Sequence, residues 1–291
     1  MNRDMDWLRP LALALAALTA GLFSLAVSRA QSGDEIVNSL GMKFVLIPRG
    51  SFKMGSAESE QYRRDDETAH MVQIARPFYM AAYEVTQRQF EQVMGVNPSF
   101  FSAAGPGKGS VRPKEAPVHP VESVTWNQAA EFCVKLSARD GEKTRKFTYR
   151  LPTEAEWEWA CRAGTSTPLF FGHDISSHDA NFNGIAPLGN GRMGPFLRAT
   201  TSTGGYRSNA FGLYDMHGNV AEWCSDGYAI DYYRKSPKVN PQGPSEANEK
   251  IVRGGGWTNT ARECRSAARN HFPADFSSPN IGFRVVLIEP D

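Results

Sequence analysis

The segment VRGGGWTNTARECRSAARN, residues 252–270, gathers the residues of this chain that are best suited to chemistry. It combines three successive glycines with one tryptophan, one glutamate, one cysteine and four arginines. Cys264 has the chemistry of a nucleophile, of a metal ligand or of half a disulfide, and Glu263 offers a carboxylate beside it. The rest of the sequence has to decide between these interpretations.

The overall composition is that of an ordinary globular protein. The chain has 291 residues, a formal net charge of +1 and 41% hydrophobic residues. This length suits one large domain or two small ones. The balanced charge, without a run of Lys or Arg, gives no reason to expect a nucleic-acid partner.

The N-terminal residues differ from the rest. A nearly continuous apolar run, residues 11–27, is followed at once by the small residues Ser28 and Ala30. This order is typical of a cleavable secretion signal; the alternative is a membrane anchor, because about 17 apolar residues can just span a bilayer. We predict a signal peptide over residues 1–30 and a mature domain over residues 31–291, exported to the periplasm and not inserted in the membrane after cleavage.

The chain has four cysteines, and no two of them form a CxxC pair. This spacing disfavours a zinc knuckle or a thioredoxin-like motif. In an oxidising compartment we expect one or two disulfides, and the sequence does not choose among the three full pairings. The cysteines are Cys133, Cys161, Cys224 and Cys264.

Capping boxes predict three helices. The helices begin after Thr86, Thr125 and Thr153, each of which is followed three residues later by Gln or Glu, so that two side chains satisfy the free backbone N–H groups of the first turn. Gly95 and Gly164 are the expected ends of the first and third helices.

Strands and loops account for the other segments. Residues 41–56 predict two short strands around a Pro-Arg-Gly turn, and residues 280–289 predict the last strand. The charged residues 57–70 predict an exposed loop. From residue 165 onward the helical period disappears, and we expect strands and long ordered loops, which compact domains usually keep for function or for binding ions.

Several long segments, in the same order, resemble the signature segments of the formylglycine-generating-enzyme (sulfatase-modifying-factor) domain family. The resemblance extends from about residue 38 to residue 288. It implies a single α+β domain that is related to C-type lectins and has much irregular structure. The segments are RLPTEAEWEWACRAGT (150–165), FGLYDMHGNVAEWCSD (211–226), VRGGGW (252–257) and NIGFRVV (280–286).

The founding activity of the family, as the resemblance implies, oxidises a substrate cysteine with copper(I) held by two cysteines five residues apart, since copper(I) prefers soft thiolate ligands. The position of the first cysteine falls on Asn259. The AAR segment, residues 267–269, arrives three residues too early for Cys264 to take the second position. We therefore expect no copper and no formylglycine formation. Cys264 is expected to form a structural disulfide with Cys224 or Cys161, and a free thiol is the alternative.

The segment YDMHGNVAEW resembles the second calcium site of the family. The matching ligands are the side chains of Asp215 and Glu222 and the backbone carbonyls of Gly218 and Val220. Ca²⁺ prefers such hard oxygen ligands, so we expect a structural Ca²⁺. The alternative is that Asp215 caps a turn and Glu222 pairs with an arginine. The first calcium site, which would use Asn181, lacks its expected aspartate.

The chain has a predicted export signal, one domain that resembles this family and no cysteine pair. In these features it resembles an exported member of the family that acts in maturation of the siderophore pyoverdine. This resemblance implies oxidation of a dihydropyoverdine-type chromophore precursor, and hence a small-molecule or peptide-siderophore substrate. Glu263, with a pKa raised by burial, is the expected catalytic proton acceptor. Asn259, Trp257 and Arg269 are the expected substrate-binding residues, with Trp257 stacking on a flat ring and Arg269 holding an anion.

Other interpretations stay open at this point. Glu263 could simply neutralise the neighbouring arginines. The domain could also be a non-catalytic module that holds a peptide or glycan in the periplasm, or an oxidase that works through one thiol. Arg284 is expected to form a buried salt bridge.

Overall fold

The structure, a computed structural model, describes residues 35–290. The predicted signal peptide lies outside these residues and stays a prediction. Within residues 35–290, no helix is long and apolar enough to span a membrane. The strands of this part are β1 Glu35–Val37, β2 Lys43–Ile47, β3 Gly50–Met54, β4 His70–Ile74, β5 Phe78–Ala81, β6 Thr148–Arg150, β7 Ala221–Gly227, β8 Glu249–Arg253, β9 Asn270–Pro273, β10 Ile281–Gly282 and β11 Val286–Ile288. The α-helices are α1 Gln87–Met94, α2 Trp126–Ser137, α3 Asp140–Arg145, α4 Glu154–Arg162 and α5 Tyr232–Lys235.

The strands form three sheets. The largest has the order β1-β2-β5-β11-β6, with antiparallel neighbours. A second sheet has the order β10-β7-β8-β9, in which only β10 and β7 run parallel. The third is the β3-β4 hairpin. The fold is therefore α+β, as the sequence predicts.

The last strand is divided between the two larger sheets. The sequence predicts one strand over residues 280–289, but β10 joins the four-stranded sheet and β11 the five-stranded sheet. The chain crosses between them at Arg284, whose guanidinium is fully buried and donates to both carboxylate oxygens of Glu222 on β7 (2.6 and 2.7 Å). The buried salt bridge expected of Arg284 is confirmed, and it lies at the break in the predicted strand.

All three predicted capping boxes are present. Thr86, Thr125 and Thr153 each accept a hydrogen bond from the backbone three residues on, and the Gln or Glu at that position accepts one back from the Thr backbone. These contacts are local, which explains why the sequence predicts the starts of α1, α2 and α4 correctly. The short helices α3 and α5 lack a side-chain cap and were not predicted.

Residues 163–220, all of which the structure describes, contain no helix or strand and only isolated bridges. The long loops expected after residue 165 are confirmed, but the strands expected among them are absent up to β7. Buried side chains hold this segment in place, with Leu169 and Phe182 packed in one cluster with Cys264. Asn219 adds polar contacts, since its amide donates to Glu84 (2.8 Å).

Buried ion pairs tie α4 to the last quarter of the chain. Arg253 on β8 donates to Glu154 and Glu158, and Arg162 also donates to Glu158 (2.9 Å). Arg269 holds both carboxylate oxygens of Glu154 (2.7 and 3.0 Å). All five side chains are at least 95% buried. Removing one partner from such a network leaves an uncompensated buried charge.

We expect Glu154→Gln to lower the free energy of unfolding by about 3 kcal/mol, because Arg253 and Arg269 would lose a buried countercharge. Urea denaturation measures this change. The control is Glu131→Gln, which removes an exposed pair with Lys135 and is expected to change the free energy by less than about 0.5 kcal/mol. Equal effects of the two variants would contradict the proposed contribution of the buried network to the free energy of unfolding.

Candidate functional site

A cavity of about 290 Å³ lies against the four-stranded sheet. Each strand contributes to its lining: Ala221 from β7, Val252 from β8, Phe272 from β9 and Ile281 from β10. The remaining wall comes from the glycine-rich segment 254–256 and the residues that follow it up to β9, from Asn280, and from the loop of residues 57–69, here called the charged loop.

Buried ion pairs attach the charged loop to the cavity. Arg265 donates to both carboxylate oxygens of Glu67 (2.8 and 2.9 Å) and to Glu60 (2.6 Å). Arg269 donates to the backbone carbonyl of Asp66 (2.9 Å). Most of residues 57–65 are exposed, as predicted, but Asp66 and Glu67 are buried. Arginines that are distant in sequence provide the partners that permit these acids to leave water.

Three of the four predicted catalytic and substrate-binding residues line this cavity together. They are Glu263, Asn259 and Arg269. Trp257 is not among the residues that line it. Its half-buried ring packs edge-on against Phe101, with 5.3 Å between the ring centroids, and its indole N–H donates to a backbone carbonyl.

Glu263 closes a capping box at the 3-10 turn Ala261–Cys264. Its Oε2 accepts hydrogen bonds from the backbone N–H of Thr260 (2.8 Å) and from the Thr260 hydroxyl, and its Oε1 accepts from Arg262 (2.7 Å). Burial raises the pKa of Glu263, but the hydrogen bonds from Thr260 and Arg262 outweigh burial and lower it. The expected raised pKa is therefore wrong. The carboxylate is ionised at neutral pH, and these bonds occupy three of its roughly four acceptor positions.

Arg269 is buried and already paired. Three of its N–H groups donate to Glu154 and to the Asp66 carbonyl, and its guanidinium stacks over Tyr233 at 4.0 Å. These contacts hold the wall of the cavity together. They leave Arg269 with less capacity for a ligand anion than the sequence interpretation assumed.

All four cysteines are free and buried, so the expected disulfide of Cys264 is wrong. The Sγ of Cys264 donates to the Thr260 carbonyl (3.6 Å), and it packs so close to Gly255 that a β-carbon there would lie 2.8 Å from it. The Sγ of Cys161 lies 3.9 Å from the Nε2 of His217. Burial raises the pKa of Cys161 to about 12. No cysteine lines the cavity.

Three predicted calcium ligands, Asp215, Gly218 and Val220, lie in a buried turn in which Asp215 and Gly218 have positive φ. The fourth, Glu222, follows on β7. The Oδ2 of Asp215 accepts from the backbone N–H of Gly204 (2.6 Å), and its buried Oδ1 has no hydrogen-bond partner. Glu222 forms an ion pair with Arg284, as expected if this residue pairs with an arginine and does not bind calcium. Among residues 35–290, no three His, Cys, Asp or Glu side chains are grouped as a metal site, so backbone carbonyls such as those of Gly218 and Val220 would have to complete one.

A third buried acid, Glu84, lies near these ligands and was missed by the sequence analysis. It accepts from the Asn219 amide (2.8 Å) and from the backbone N–H of Val220 (3.2 Å). Burial, followed by the charges of Asp215 and Glu222, raises the pKa of Glu84 well above its usual value. Three carboxyl groups thus lie near one buried guanidinium that, of the three, bonds to Glu222 alone, and their oxygen atoms are the ligand type that a hard cation prefers.

Comparison with known protein families shows the family to which this chain belongs. The sulfatase-modifying factor enzyme 1-like domain matches residues 33–288. This chain belongs to that family. The fold expected from the signature segments, a single α+β domain of this family, is confirmed.

Proteins similar to this chain carry different names within the family. The chain is 32% identical to a formylglycine-generating enzyme of Streptomyces coelicolor, over 82% of this chain and 87% of the relative. It is 29% identical to the chaperone protein LppX of Paenibacillus barcinonensis, over 94% and 96% of the two chains. The solved structure of PvdO from Pseudomonas aeruginosa is similar with a TM-score of 0.72 and 28% identity, covering 89% of this chain and 99% of PvdO.

Several residues that line the cavity were not predicted from sequence, and two of them come from the charged loop. These two are Tyr62 and Arg64. In a run of charged residues, nothing local distinguishes a side chain that faces a cavity from one that faces solvent. The only signal that would have found them is the pairing of the loop acids with Arg265, a contact between residues about 200 positions apart.

We expect four reactive thiols per chain when the protein is unfolded without a reductant, and a very slow reaction in the native state. The physical reason is that burial both shields the thiols and raises the pKa of each. A thiol titration measures the count, with a fully reduced sample as the control. A count of two or none in the non-reduced sample would restore the disulfide interpretation.

Proposed function

We propose that this protein acts in siderophore maturation in the periplasm, where it binds a dihydropyoverdine-type precursor in the cavity on the four-stranded sheet and promotes oxidation of its chromophore. The observation that carries the proposal is an ionised carboxylate, Glu263, facing a small cavity without a cysteine in its lining. Similarity to PvdO over nearly the whole of both chains supports it.

The size of the cavity supports a ring system as the ligand. Small-molecule sites usually enclose about 300–1,000 Å³, and this cavity, at about 290 Å³, lies just below that range. One ring system fits, and the peptide part of a siderophore would lie outside. Tyr62 and Phe272, which line the cavity, offer aromatic surfaces for such a ring.

The proposed chemistry assigns Glu263 a defined task. Oxidation of the dihydro chromophore removes two electrons and two protons, and dioxygen accepts both and becomes hydrogen peroxide. Glu263 accepts a hydrogen bond from a ring hydroxyl and takes its proton as the electrons leave. Because the pKa of Glu263 is lowered, it is a weak base that passes the proton on to solvent.

A binding module without catalysis is the second candidate, and the same residues favour it. Ion pairs within the chain already engage Glu263, Arg265 and Arg269. This is expected of side chains with a structural role in the lining of the cavity. Similarity to the LppX chaperone over nearly the full length supports this candidate. In this case Glu263 acts only as a cap.

We expect Glu263→Gln to lower the oxidation rate of the reduced chromophore precursor by about a hundredfold or more, the usual contribution of a general base. Gln also completes a capping box, so the fold and the binding of the precursor should persist. The absorbance of the chromophore measures turnover. Glu115→Gln, at an exposed acid paired with Arg112, is the control. Unchanged turnover in Glu263→Gln would favour the binding module.

We further propose that a structural Ca²⁺ binds at the buried turn. The side chains of Asp215 and Glu222 and the carbonyls of Gly218 and Val220 would hold it. The orphaned Oδ1 of Asp215 supports this proposal. Bound Ca²⁺ would supply the positive charge that Arg284 alone does not provide.

We expect added Ca²⁺ to raise the Tm of the chelator-treated protein, because a ligand that binds only the folded state stabilises it by about 2.7 kcal/mol at a hundredfold excess over its Kd. The shift should be lost in Asp215→Ala and kept in Asp231→Ala, which changes an exposed acid. Differential scanning calorimetry measures it. The same Tm with Ca²⁺ and with chelator in the unaltered protein would rule out the site.

A further inference from the structure

Four arginines line the cavity, and three of them are neutralised by carboxylates of the chain. Arg262 pairs with Glu263, Arg265 with Glu67 and Arg269 with Glu154. The fourth is Arg64. Its Nη1 donates to the backbone carbonyl of Arg269 (3.1 Å), and no carboxylate within residues 35–290 forms an ion pair with it.

Arg64 is held in position although it has no countercharge. The charged loop that carries it is tied down on both sides of this residue, by Arg265 through Glu60 and Glu67 and by Arg269 through the Asp66 carbonyl. The hydrogen bond from Arg64 to the Arg269 carbonyl restrains its own side chain. A ligand would therefore meet a cation that is already partly restrained, which lowers the entropy cost of binding.

The cavity thus presents one ionised acceptor, Glu263, and one cation without an acid partner, Arg64. A guanidinium binds carboxylates and other anionic oxygens through charge-assisted hydrogen bonds. We infer that Arg64 selects aromatic ligands that carry an anionic oxygen group. This inference rests on the proposed function, because it assumes that the cavity binds a ring system.

Two probes of the same shape test the inference. Protocatechuate is a catechol with a carboxylate, and protocatechuamide is the same catechol with a neutral amide. Titration calorimetry on the full chain should show that protocatechuate binds about tenfold more tightly, the effect expected of a hydrogen bond to a charged group. The preference should weaken as salt is added, because Arg64 is exposed.

Arg64→Gln should abolish the preference and leave the affinity for protocatechuamide unchanged, and Arg64→Lys should restore part of it. The control is Arg234→Gln, at an exposed arginine of α5 that does not line the cavity, and it should behave as the unaltered protein does. Unchanged affinity for the amide shows that the Arg64 variants are folded.

The outcomes separate the two proposals. Equal affinity for both probes in the unaltered protein, or a preference that survives in Arg64→Gln, would overturn the role of Arg64 and leave the proposed function intact. If neither probe binds, the cavity is not a site for aromatic ligands, and both proposals fail.

Discussion

The pairing of buried arginines with buried carboxylates is the constraint on which this structure depends. A guanidinium or carboxylate leaves water only when a partner compensates its charge. Glu154 therefore determines where Arg253 and Arg269 lie, and Glu67 determines where Arg265 lies. Since these arginines flank the glycine-rich segment, the pairs bring it, the four-stranded sheet and the charged loop together around one cavity.

The same pairing defines what chemistry the cavity can offer. Groups that hold the wall together are largely occupied, as Arg269 shows. The groups that remain for a ligand include the unoccupied acceptor position of Glu263, the guanidinium of Arg64 and the aromatic side chains of Tyr62 and Phe272. The thiols are excluded from the cavity, with Cys264 packed beneath Gly255. Function in this member of the family is therefore proposed to depend on a carboxylate and a cation.

Local features were predictable from the sequence, and long-range ones were not. The capping boxes of α1, α2 and α4 involve residues three apart, and the family signature specified the fold. The burial of Glu67 and the free thiol of Cys264 depend on residues that are distant in sequence. The lowered pKa of Glu263 instead results from local contacts with Thr260 and Arg262, a capping box that the sequence interpretation overlooked. Glu67 and Arg265 are 198 positions apart, so no sequence window contains both. The buried salt bridge of Arg284 was predicted without its partner, and the pairing of Glu222 with an arginine was predicted only as an alternative to a calcium site.

The most direct test of this account is hydrogen–deuterium exchange of the charged loop in Glu67→Gln. If Arg265 holds the loop against the cavity, amide exchange should rise in residues 57–69 and in the segment around Arg265, while α2 and the five-stranded sheet stay protected as in the unaltered protein. Unchanged exchange in the charged loop would contradict the account, because the cavity wall would then not depend on the buried pair.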